Sequence, residues 1–97
     1  MRIELQYFDD CPNWKVAHER LVSLAEGVGA EVVLRQVTTP EAAEAAGFRG
    51  SPTILVDGRD PFAIGDESFG LACRVFQTPH GPAGSPTVTQ LEAALRD

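Results

Sequence analysis

The sequence predicts an α/β domain with the element order β-α-β-α-β-β-α and a four-stranded mixed sheet covered by helices on both faces. Three observations carry this prediction. Segments with a period of two alternate with segments whose apolar residues recur every three or four positions. Two of the helical segments join strands, which is the pattern of parallel crossover units, and the last two strands follow each other closely enough for an antiparallel hairpin. Ninety-seven residues suffice for one core and are too few for two, so residues 1–97 are expected to form a single domain.

Residues 2–8 alternate Ile3, Leu5 and Tyr7 against Arg2, Glu4 and Gln6, as a strand does when one face is more deeply buried. After Asp9-Asp10-Cys11-Pro12, the residues Trp14, Ala17, Leu21, Leu24, Ala25 and Val28 form the stripe of an amphipathic helix. Pro12 suits its first turn, where an N–H would have no partner, and Gly27 and Gly29 punctuate its end. Cys11 therefore stands at or just before a helix N-terminus. Valine-rich residues 31–37 are a second strand. Thr39-Pro40-Glu41 then supplies a cap, a first-turn proline and a dipole-complementing acid for a short helix through Ala46, closed by Gly47. Residues 53–56 are a short apolar strand, entered through Gly50-Ser51-Pro52 and left through Asp57-Gly58. Asp57-Gly58-Arg59-Asp60 has turn chemistry, with an ion pair of little weight. Pro61, Gly65 and Gly70 break any period, so residues 59–70 are a long loop. Over 71–77, Leu71, Cys73 and Val75 alternate with Ala72, Arg74 and Phe76, which places the first set inward on a fourth strand. A loop rich in Pro and Gly leads to a last helix, opened by a Thr87/Gln90 capping box and striped by Val88, Leu91, Ala94 and Leu95.

Hydrophobic residues make up 43% of the chain and charged residues 23%, a composition of ordered globular domains. The net charge of −6 comes from 14 acids against 8 scattered bases, which leaves no patch for a phosphate backbone or an anionic membrane. No apolar run approaches the ~20 residues that cross a bilayer, and the chain opens on a strand rather than a leader, so a cytoplasmic location is expected. Thiols there stay reduced at rest unless they are used catalytically. His18 and His80 have no zinc-type spacing to a cysteine or to each other, and there is no phosphate loop or Ser/His/Asp set. No metal or other cofactor is therefore expected.

The stretch Tyr7-Phe8-Asp9-Asp10-Cys11-Pro12-Asn13-Trp14, the later Gly50-Ser51-Pro52-Thr53, and Leu71-Ala72-Cys73-Arg74 with Gly84-Ser85-Pro86 resemble the small bacterial thioredoxin-like proteins, some of whose relatives carry the label alkylmercury lyase. The resemblance spans nearly the whole chain and implies the minimal thioredoxin-like fold. It further implies a nucleophilic cysteine at position 11, a cis Ser51-Pro52 bond with Pro52 packed against Cys11, and an extended substrate pairing with the backbone of Ser51. The second cysteine of the dithiol reductases would fall at position 14, where this chain has Trp14.

A helix N-terminus stabilises a thiolate through oriented N–H groups and about half a unit of positive charge, lowering a thiol pKa that starts near ~8.5. Asp9 and Asp10 oppose that effect, and the helix end acts at closer range than they do through solvent. Without a thiol at position 14, a mixed disulfide at Cys11 has to be resolved by an outside thiol or by Cys73. In the minimal fold the Pro52 strand separates Cys73 from Cys11. Two strand spacings make ~9.5 Å, against the ~7 Å within which Cα atoms must lie for a disulfide. Cys73 is accordingly expected to be a buried free thiol in the resting protein. Trp14 either covers the Cys11 thiol or packs in the core.

These residues point to thiol–disulfide or related thiol-redox chemistry. Cys11 is the nucleophile, Cys73 a second catalytic candidate, and Pro12, Trp14, Ser51 and Pro52 candidates for substrate contact. Its partners would be protein or small-molecule thiols and disulfides. Two readings from other classes fit the same residues: a non-catalytic binding module that keeps the groove, and a soft-metal site in which the thiolates of Cys11 and Cys73 hold mercury or a similar ion. No oligomeric state is predicted.

Overall fold

The computed structural model describes residues 1–63 and 69–96; residues 64–68 of the expected long loop lie outside them. The chain runs through β1 (Arg2–Tyr7), α1 (Asn13–Val28), β2 (Glu31–Gln36), α2 (Pro40–Ala46), β3 (Thr53–Val56), β4 (Phe76–Thr78), β5 (Gly81–Ala83) and α3 (Val88–Arg96). The α/β order is the expected one, with a further short strand, β5, before the last helix. Local chemistry sets the helix ends. The Thr39 hydroxyl accepts the Ala42 N–H at 3.1 Å and Pro40 occupies the first turn. At α3 the capping box closes in both directions, Thr87 N–H to Gln90 Oε1 at 3.0 Å and Gln90 N–H to Thr87 Oγ1 at 3.1 Å.

β1 is the centre of a three-stranded sheet in the order β2-β1-β3. β2 is parallel to it, with Ile3 beside Val32 and Leu5 beside Leu34. β3 is antiparallel to it, with Ile3 beside Val56, Leu5 beside Ile54 and Gln6 beside Thr53. The second of the expected parallel crossovers is therefore absent. Its cause is length: the seven residues of α2 rise only ~10 Å, whereas a six-residue strand such as β1 spans ~20 Å. The chain leaving α2 is still at the C-terminal end of β1 and enters β3 from there.

The four-stranded sheet is corrected to a three-stranded sheet and a separate β4-β5 hairpin. Residues 71–77 do not run antiparallel beside β3. Cys73 forms a single parallel bridge with Ser51, and the other end of the β3 edge is taken by Arg59, which bridges Val56. The expected inward face of 71–77 is also reversed. Arg74 and Phe76 are buried, while Cys73 is exposed and Val75 is 62% exposed. Arg74 turns inward because its guanidinium meets the buried carboxylate of Asp60 at 2.8 Å and lies over the Phe76 ring.

α1 and α3 pack together on the face that carries Ile3, Leu5, Ile54 and Val56, with Ala17, Leu21, Ala25, Leu91 and Leu95 completing one cluster. α2 contributes Ala43 to a separate cluster with Val37 and Phe48, against which Phe8 and Leu71 pack. No helix among the described residues is long and apolar enough to cross a membrane.

Candidate functional site

The reversal of β3 brings the end of β1 and the start of β3 to one end of the sheet, and the site is built there. Beyond β1 the chain turns back so that the Cys11 N–H donates to the Phe8 carbonyl at 3.1 Å. Ser51 holds this turn from the other side, its Oγ accepting the Phe8 N–H at 3.0 Å and donating to the Phe8 carbonyl at 3.4 Å. The Ser51-Pro52 bond is cis, and both residues are buried. The Ser51 carbonyl lies 3.8 Å from Cys11 Sγ, where it would accept the proton of a thiol.

Cys11 and Cys73 are joined by a disulfide, with their Cα atoms 5.8 Å apart. The expectation of free thiols is overturned, and the reason is the path of residues 72–74. Instead of lying beyond β3, they lie directly along Ser51, whose N–H donates to the Ala72 carbonyl at 2.7 Å and whose carbonyl accepts the Arg74 N–H at 3.0 Å. Gly50 makes the approach close enough. It has φ +109°, and a Cβ there would sit 3.0–3.1 Å from the Cβ and backbone of Arg74. The Ser51 backbone thus has an extended partner, supplied by the chain itself.

Cys11 precedes α1, whose N-cap residue Pro12 offers no side-chain hydrogen bond and whose first turn holds no acid. Cys11 thus stands next to a helix N-terminus whose positive end has no side-chain cap or first-turn acid to compensate it. Cys11 is 1% exposed, whereas Asp9 and Asp10 are exposed to solvent. A further group, absent from the sequence reading, completes the surroundings: Asn13 Nδ2 lies 3.7 Å from Cys11 Sγ and points a donor at it. Asn13 fits only because residue 84 is glycine, since a Cβ there would overlap its side chain. Asn13 lies within the Cys11-Pro12-Asn13-Trp14 stretch, where the sequence reading assigns it no role. The nearest signal is its place on the first turn of a helix that begins beside a cysteine.

Pro12 is exposed next to Cys11. Trp14 is partly buried, stacks on Tyr7 with ring centroids 4.1 Å apart and packs against the main core. Its Nε1 is buried with no hydrogen-bond partner among the described residues. On the other side of the disulfide, Cys73 helps to line a cavity of about 570 Å³ together with Arg49, Phe62, Ala72, Arg74 and Phe76. Asp60 ties that wall down, pairing with Arg74 and with Arg49 Nη1 at 3.5 Å and accepting the Phe62 N–H at 2.9 Å. Asp60 of the expected turn thus pairs with Arg74 and Arg49 from outside that turn. Among the described residues no three His, Cys, Asp or Glu side chains gather in a group that could hold a metal ion.

Comparison with protein-family models, with curated proteins and with solved structures gave no match for this chain.

Asn13→Ala is expected to raise the pH midpoint of Cys11 alkylation in reduced Cys73→Ala protein, because a donor to the thiolate is lost. Gly84→Ala should do the same by displacing Asn13. A pH series of alkylation rates checks both, and unchanged midpoints would remove Asn13 from the site.

Proposed function

We propose that this chain is a thioredoxin-like thiol–disulfide exchange protein in which Cys11 and Cys73 cycle between dithiol and disulfide. The observation that carries the reading is the pairing itself: two cysteines remote in sequence meet with Cα atoms 5.8 Å apart at an uncapped helix N-terminus. In the oxidising direction, one thiolate of the pair attacks a substrate disulfide, a mixed disulfide forms and the substrate's other sulfur leaves as a thiolate. The second thiolate of the pair then attacks the mixed disulfide and releases the remaining substrate thiolate. The substrate gains two electrons and the protein keeps the Cys11–Cys73 bond. Reduced protein or small-molecule thiols reverse the sequence.

Within this reading the helix N-terminus and Asn13 stabilise the Cys11 thiolate, against the Ser51 carbonyl and the burial of the sulfur. Ser51 and Pro52 shape its surroundings, and Pro12 and Trp14 form the rim that a partner meets. The reading includes a cytoplasmic setting, where an outside thiol pool is at hand. A binding module with a free Ser51 backbone fits the oxidised structure less well, because residues 72–74 already use both backbone groups of Ser51.

Equilibration in buffers of graded reduced and oxidised glutathione, with the protein's redox state read by mass after alkylation, tests the proposal. A reversible two-electron titration is expected. A bond that stays closed in the folded protein under a large excess of thiol would overturn it.

A further inference from the structure

We infer that Cys73 is the sulfur through which the pair exchanges with the outside, that small thiols reach it from the adjoining cavity, and that Cys11 is the internal leaving and resolving thiolate. The inference rests on the exchange reading above and assigns the two cysteines different tasks.

Access favours Cys73. The residue is exposed on the 72–74 segment and lines the cavity of about 570 Å³, a volume within the range of small-molecule sites. Cys11 is 1% exposed, and its sulfur has the Ser51 carbonyl at 3.8 Å and the Asn13 amide at 3.7 Å. An incoming thiolate has no comparable approach to it.

Leaving-group chemistry favours the same direction. In thiol–disulfide exchange the sulfur that better carries negative charge departs faster. Cys11 has the uncapped α1 N-terminus and the Asn13 donor to receive that charge. Attack on Cys73 therefore places the charge beside the Asn13 donor, with the Ser51 carbonyl opposing it at 3.8 Å, and attack on Cys11 would place it on the exposed segment next to Arg74. The first step is RS⁻ + Cys73–S–S–Cys11 → Cys73–S–S–R + Cys11–S⁻. A second thiolate RS⁻ then attacks the mixed disulfide, giving RSSR and the Cys73 thiolate, so that two electrons enter the protein. In reverse, the Cys11 thiolate attacks Cys73–S–S–R, re-forms the bond and expels RS⁻.

Oxidised wild-type protein is mixed with reduced glutathione, quenched with acid at successive early times, alkylated and mapped by peptide mass. The expected first adduct carries glutathione on Cys73 and the alkyl group on Cys11. Glutathione appearing first on Cys11 would overturn the assignment while leaving exchange intact. Absence of any adduct or opening under excess thiol would instead overturn the exchange reading, and the assignment with it. The cavity is tested with Ala72→Phe, which narrows it beside Cys73. Opening by glutathione is expected to slow at least about fivefold, and opening by the much smaller mercaptoethanol to change less than twofold. Equal effects on the two thiols would overturn the cavity as the route.

Discussion

Opening the Cys11–Cys73 bond is expected to lower the unfolding free energy by about 4 kcal/mol, and with it the thermal midpoint by about 20 °C. The two residues are 62 positions apart, so the bond removes a large set of open conformations from the unfolded chain. Cys73→Ala isolates that effect, because residue 73 is exposed and its truncation empties little of the core. Cys11→Ala should cost somewhat more, since it also removes a buried side chain from beside Ser51. Urea denaturation of the wild type with and without reductant, alongside Cys73→Ala, makes the comparison. Equal midpoints in all three would show that the bond does not constrain the unfolded chain.

Asp60→Ala is expected to cost about 3 kcal/mol, the loss that follows when one member of a buried ion pair is removed. The side chains of Asp60 and Arg74 are 2% and 5% exposed, and their closest approach is 2.8 Å. The contrast is Glu92→Ala, which removes an exposed i,i+4 partner of Arg96 and should cost no more than about 0.5 kcal/mol. Asp60 acts on the disulfide as well. Arg74 follows Cys73 directly, and anchoring it keeps the two cysteines within reach after reduction. Asp60→Asn should therefore shift the equilibrium with glutathione toward the dithiol by about tenfold, the weight of ~1.4 kcal/mol. A variant that loses stability but keeps the wild-type redox equilibrium would separate the ion pair from the chemistry.

The parts of the fold that local chemistry determines were legible in the sequence. Thr39 before Pro40, the Thr87/Gln90 box and the stripe from Ala17 to Ala25 describe their own surroundings, and the structure has a helix at each. What period and composition do not carry is direction and phase. An apolar run such as 53–56 has no sign that says parallel or antiparallel; the shortness of α2 does, and it reverses β3. The alternation over 71–77 has two phases. Hydropathy selects the wrong one because a buried arginine counts as a surface residue until its partner, Asp60, is known. The disulfide was hidden by the same error: the strand-spacing argument holds for a segment lying beyond β3, and residues 72–74 lie on Ser51 instead. Cys11 at a helix start and the Gly50-Ser51-Pro52 turn were readable from their neighbours. Asn13 and the cavity beside Cys73 depend on contacts between distant parts of the chain.

The covalent closure between positions 11 and 73 divides the chain unequally. α1, β2, α2 and β3 lie inside the closed ring, while β1 and α3 lie outside it on the two free arms. A single protease cut anywhere within the ring leaves the oxidised protein as one molecule of undiminished mass, and reduction is needed before the pieces part. A cut on either arm leaves its fragment held by packing and hydrogen bonds alone. The main core crosses that division, because Ile3 and Leu5 from one arm and Leu91 and Leu95 from the other pack with Leu21 and Ile54 of the ring. The oxidised fold is therefore more tolerant of a break in its middle than of a break near either end.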